Sequence, residues 1–167
     1  MPLATQDQRN LIDAKIENIQ SRRGKILVAI KEYLKLIKRE NGYNHSIRNV
    51  TFDLRSWDSV VESETPILFV VDDKTNSIVR HAGRNREYSW MVRLFGIVKE
   101  RNIIEFEEII SDIEDCIENN FNLGGVVSKV EINQVITDNQ MFSEKENTHL
   151  FDIELEVEYV RCHGDPR

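Results

Sequence analysis

The sequence is short of the features that mark most catalytic, secreted and membrane-spanning proteins. Only two of its 167 residues are cysteine, Cys116 and Cys162. Two cysteines cannot make a disulfide framework, so free thiols in a reducing compartment are expected. No apolar run approaches the roughly 20 residues that a membrane helix needs, and Met1 to Asn10 lacks the apolar stretch of a secretory signal. The histidines, His45, His81, His149 and His163, form no His-x-x-x-His pair, and no Cys-x-x-Cys pair exists. Cys162-His163 is adjacent but has no second pair at ligand spacing, so the spacing points to no zinc site. No Gly-x-Ser-x-Gly motif marks a nucleophile. Gly124-Gly125 follows a helical segment rather than opening one, the wrong order for a phosphate cradle. Asp72-Asp73-Lys74 ends an apolar run, where acids can hold magnesium. Asp-Asp-Lys-Thr-Asn-Ser is also the composition of a turn, because Asp, Asn and Ser bond to nearby backbone, and a turn is the reading adopted. No catalytic residue, cofactor or metal is therefore expected, and the chain is read as a non-enzyme.

What the sequence does contain is an ordinary globular balance, with 40% hydrophobic and 31% charged residues. That supports one domain over residues 1–167 with a core of its own. The net charge of −7 is unevenly placed. Residues 1–100 carry 17 Lys and Arg against 13 Asp and Glu, and residues 101–167 carry 5 against 16. A dedicated nucleic-acid binder would show a basic excess. The split suits a subunit that presents different charges to different neighbours.

Periodicity supplies the elements. Thr5-x-x-Gln8 has capping-box spacing, and Ile12, Ile16 and Ile19, then Leu27, Ile30, Leu34 and Ile37, follow a helical repeat. Residues 1–42 form a helical N-terminal segment, one helix or two hinged near Arg22-Arg23-Gly24. Val50 to Trp57 alternates like a strand. Ile67 to Val71 is a short apolar run that fits a strand buried on both faces. Tyr88 to Lys99 is a long strand, with Trp90, Val92 and Leu94 on one face and Met91, Phe95 and Ile97 on the other. Ile103 to Phe121 is a helix whose apolar stripe runs from Phe106 through Ile109, Ile110, Ile113 and Ile117 to Phe121. Its acidic face holds Glu107, Glu108, Asp112, Glu114, Asp115 and Glu118. Val126 to Thr137 and Phe151 to Tyr159 are strands, with a polar loop from Asp138 to Thr148 and a loose tail over 161–167. The expected fold is α+β: a largely antiparallel or mixed sheet of about five strands, with the N-terminal helical segment and a second helix packed on one face.

Two clusters are candidate contact surfaces. The polar stretch Asp72 to Glu87 reads as a long connection, hence a contact arm, and it bears Arg80, Arg84 and Arg86. Arginines there can meet phosphate or an acidic protein, and a protein contact is the reading adopted. The last strand alternates apolar with acidic residues, so Glu154, Glu156 and Glu158 line one face with Asp152. Successive carboxylates lie about 7 Å apart, the spacing of a solvated or interface face.

The succession of elements resembles that of phage tail terminators, proteins that close the head-proximal end of the tail tube. The resemblance runs from about residue 10 to residue 160. It lies in the N-terminal helix before a strand, in Thr65-Pro66-Ile67-Leu68-Phe69-Val70, in Met91-Val92-Arg93-Leu94-Phe95-Gly96-Ile97-Val98-Lys99, in Ile109-Ile110-Ser111-Asp112-Ile113-Glu114-Asp115, and in the closing Val157-Glu158-Tyr159. It implies a structural virion protein of the tail's neck region, assembled in the host cytoplasm. It also implies a hexameric ring with heterologous contacts, which halts tube polymerisation and joins the tail to the head. The implied partners are copies of itself, the tail tube protein, the head-side connector or stopper, and the sheath protein. DNA would pass through the lumen without specific binding, and no membrane is involved. Another neck protein, a stopper or joining factor, is the alternative within the same class. A small metal-dependent nuclease built on Asp72 and Asp73 and a stand-alone cellular α+β binding module are the alternatives outside it.

Overall fold

A computed structural model of the chain describes residues 3–83, 85–99, 101–138 and 148–162, without the side chains of 74–78, 82 and 138. Its N-terminal segment is two helices. The first, Gln6–Ile16 (α1), starts on the expected capping box. The Thr5 hydroxyl accepts the Gln8 amide at 3.3 Å, and the Gln8 side chain accepts the Thr5 amide at 2.8 Å. The chain breaks over residues 17–21, and Ser21 caps the second helix, Arg22–Leu34 (α2), by accepting the Gly24 amide. Gly24 thus lies in the first turn of α2 rather than at the hinge. A β-carbon there would come within 3.1 Å of Ile19, so the glycine lets the incoming chain pack closely.

The strand expected over Val50–Trp57 is only Asn49–Thr51 (β1). Past it, the Thr51 hydroxyl accepts the Asp53 amide and the Phe52 carbonyl accepts the Leu54 amide. These local bonds compete with a sheet ladder and turn the chain away. Residues 57–65 then cross the sheet through two short 3-10 turns, Trp57–Ser59 and Glu62–Glu64. A strand of 16 residues follows, Ile67–Ala82 (β2), then a turn at Gly83, whose φ of +62° suits glycine, and then Asn85–Lys99 (β3). The helix Ile103–Asn119 (α3) leads to the strands Lys129–Asp138 (β4) and Thr148–Cys162 (β5). Phe121 lies beyond the end of α3 and is exposed, so it is not part of the helical stripe. The loop residues 139–147 and the tail residues 163–167 lie outside the described residues. Arg161 and Cys162, expected in the loose tail, are paired in β5.

The sheet order is β1-β2-β3-β5-β4, with β1 parallel to β2 and the other neighbours antiparallel. This is the expected α+β architecture. The three helices lie on one face. Between them and the sheet sits the main core, built from Ile26, Ile30, Leu34, Trp90, Leu94, Phe106, Ile113, Ile153, Leu155 and their neighbours. Each fully buried aliphatic or aromatic side chain there contributes roughly 1.5–3 kcal/mol. Gly96 faces Phe151 across the β3–β5 ladder, and a β-carbon on it would fall 1.8 Å from the ring. Only glycine lets Phe151 lie over β3 and reach Phe106. A smaller cluster on the reverse face joins Val60 to Ile67, Phe69 and Ile97, with Trp57, Phe95 and Leu150 packed against it. Among the described residues, no helix is long and apolar enough to cross a membrane.

Candidate functional site

The expected polar connection between Asp72 and Glu87 is instead the distal part of a hairpin. Where a turn is expected at Asp72–Ser77, the strand β2 runs on with a shift of register, Asp73 standing opposite Met91 and Ser77 opposite Trp90. Polar residues hide the strand from hydropathy, and the described side chains at 79–81 and 85–87 are exposed. The arm is held from both sides: β3 pairs with β2 down to Asn85–Ala82 and with β5 down to Asn85–Cys162. Fifteen residues of β3 give a ribbon roughly 50 Å long. Its distal residues, including Arg80, His81, Arg86 and Glu87, are exposed.

An aromatic and cationic joint fastens the base of this arm to α2. Tyr88 stacks on Tyr159 with ring centroids 4.9 Å apart. Arg23 lies 4.8 Å over the Trp90 ring and its Nε donates to the Tyr159 hydroxyl at 3.1 Å. The Trp90 indole N–H donates to Asp72 at 2.7 Å. Arg23 and Tyr159 are 136 residues apart in the chain, so neither carries a local signal of this role.

Strand alternation in β5 sends Phe151, Ile153, Leu155, Val157 and Tyr159 into the core and places Asp152, Glu154, Glu156 and Glu158 on the reverse face. The segment 57–65 covers that face only around Ile67, Phe69 and Ile97, leaving the acidic row open further along. Its members differ in how firmly they are tied. Arg93 pairs with Asp152, and that carboxylate holds the guanidinium proton above its already high range. Asn133 donates to Glu154 at 2.7 Å, and the Ser89 hydroxyl donates to Glu156 at 2.5 Å. Glu158 is exposed, and Lys129 stands opposite it on β4. Lys129 pairs with Glu131, whose hydrogen bond raises its ammonium pKa.

Arg80 joins Glu87, Ser89, Ser128, Glu156 and Glu158 around one cleft of about 210 Å³. One predicted arginine and two predicted acids therefore come together within one chain. Arg86 does not join them. Arg80 stands opposite Glu87, whereas Arg86 stands opposite His81. Cross-strand partners share a face and successive residues alternate, so Arg80 and Arg86 are on opposite faces of the arm. Arg84 lies outside the described residues, as does His163.

The two acids considered for a metal site are held apart. Asp72 stands opposite Val92 and Asp73 opposite Met91, on opposite faces of the sheet, so the two acids do not converge on one ion. Among the described residues, no group of three His, Cys, Asp or Glu is placed to hold a metal. Cys116 is buried, and burial pushes its thiol up to about 12, far from a reactive thiolate. Asp112, expected on the exposed acidic face of α3, is buried. It accepts the Asn44 amide at 3.1 Å, the Asn44 side chain at 2.9 Å and the His45 amide at 2.7 Å. Compared with protein-family models and with curated proteins, the chain matches none.

Proposed function

We propose that this chain is a non-enzymatic virion subunit that closes the head-proximal end of a phage tail tube as a hexameric ring. What carries the reading is the arm formed where β2, β3 and β5 run on together beyond Tyr88 and Tyr159, with polar residues on both of its faces. Such an arm gains little from burial inside its own subunit. Its ladder keeps it stiff, and its charges suit adjoining proteins. The resemblance in element order supports the same reading.

The mechanism is geometric. One face of the ring seats on the last tube ring, the opposite face meets the connector or stopper, and the tube has no further surface on which to grow. The acidic row on β5 suits a surface that DNA passes, since carboxylates repel phosphate and prevent sticking. Glu154 and Glu156 are held by Asn133 and Ser89, so this charge is fixed in place.

The test is arrest of tube growth. Added to polymerising tube protein from the same phage, the chain is expected to halt elongation at about one ring per tube, and Arg80→Ser with Arg86→Ser to require more protein for the same arrest. Tube lengths in electron micrographs measure both. Lengths unaffected by a saturating excess would sink the proposal.

A further inference from the structure

We propose that the exposed face of α3 docks onto a second copy of this chain, at the basic and apolar patch beside β1 around Phe52 and Lys31. The inference deepens the ring reading and rests on it, by naming the two surfaces that join neighbouring subunits.

α3 opens with Ile103 and Ile104, exposed by 47% and 68%, large fractions for isoleucine. Together with Glu107, Glu108 and Ser111 they line a shallow, mostly apolar cleft of about 340 Å³. The helix carries seven Asp and Glu and no Lys or Arg. Glu108 meets His45 and Asp112 is buried, but Glu105, Glu107, Glu114, Asp115 and Glu118 make no salt bridge among the described residues. Like charges at helical spacing repel one another. A partner that brings cations around an apolar centre relieves that repulsion and covers the isoleucines.

The chain itself holds such a surface. Residues 22–55 contain nine Lys and Arg against three Asp and Glu. Where β1 ends, Phe52 and Leu54 are exposed, and the Lys31 ammonium lies 4.7 Å over the Phe52 ring. Arg48 donates to the neutral Ser63 carbonyl and makes no salt bridge among the described residues.

Placement allows both surfaces to work at once. α2 packs against β1, β2 and α3, and α3 packs against β4 and α2. The acidic cleft lies on α3, with Glu108 reaching His45, and the basic patch on α2 and the end of β1, so the two are separate surfaces. A contact between two different patches repeats from copy to copy and closes into a ring when the rotation allows. Nucleic acid is a poorer occupant of the α3 face, because seven carboxylates repel phosphate.

Sedimentation equilibrium of the full chain tests this with two variants. One, Ile104→Ser with Glu107→Lys, removes the acidic surface, and the other, Phe52→Ser with Lys31→Glu, removes the basic one. The wild type is expected to self-associate, less so at high salt, and each variant about tenfold more weakly. Mixed, the variants retain one intact surface each and should form a heterodimer and nothing larger. Three outcomes overturn the inference: a wild type that stays monomeric up to about 1 mM at low salt, variants that associate like the wild type, or a mixture that stays monomeric while circular dichroism shows both variants folded. Growth arrest by a wild type whose association ignores both variants would sink this interface alone. Association as described without arrest would sink the terminator reading instead.

Discussion

Asp112 shows how a single residue can be misplaced by periodicity yet hold the fold together. It belongs by spacing to the acidic side of α3, but it sits where the helix meets the chain leaving α2. Its carboxylate accepts two hydrogen bonds from Asn44 and one from the His45 amide. Helical spacing reports the angle around the axis, whereas burial at the margin of a helix depends on what packs beside it. Asp112→Ala leaves those amides without their acceptor, and an unsatisfied buried group costs about 1–3 kcal/mol. The expected loss is about 2–3 kcal/mol in urea unfolding, with Asp112→Asn losing less. A change within about 0.5 kcal/mol for the alanine variant, as at an ordinary surface site, would contradict this role.

At the scale of elements, what could be read in advance was whatever one face buries. The alternation in β5 and the 3.6-residue stripe of α3 each matched an element, because a single covered face imposes a period. β1 misled because Phe52 and Leu54 continue the alternation while Thr51 turns the backbone. The arm reads as loop in the sequence because its described distal side chains are exposed, so the pairing of Arg80 with Glu87 leaves no trace in hydropathy. The candidate acids Glu154, Glu156 and Glu158 were legible for the same reason as β5 itself. The separation of Arg80 from Arg86 was not, since it depends on recognising the hairpin. α3 also makes a pH-dependent prediction. Burial, then repulsion from Glu118, Asp115 and Glu107, raises the pKa of Glu114 above its ordinary value. The folded chain therefore holds this proton more tightly than the unfolded chain, so the group favours folding at low pH and loses that contribution as pH rises through its raised folded value. Glu114→Gln is expected to gain about half a kcal/mol at pH 7, read as a higher melting temperature. The gain should vanish below about pH 4, where the carboxyl is protonated in both states. An equal gain at both pH values would show that charge is not the cause.

On the scale of the whole molecule, one face of the sheet is closed by helices and the other is only partly covered. The open part carries the acidic row, and three strands run on past the core as an arm. The acidic face of α3 and the basic patch at the end of β1 are separate surfaces. Such a distribution of surfaces makes sense for a subunit with several simultaneous neighbours, and the terminator reading supplies them: adjoining copies, the tube below and the connector above. The most direct measurement is cryo-electron microscopy of tail tubes assembled with the chain present. One added ring of six subunits is expected at a single end of each tube. Bare ends, or density distributed along the tube wall, would contradict it.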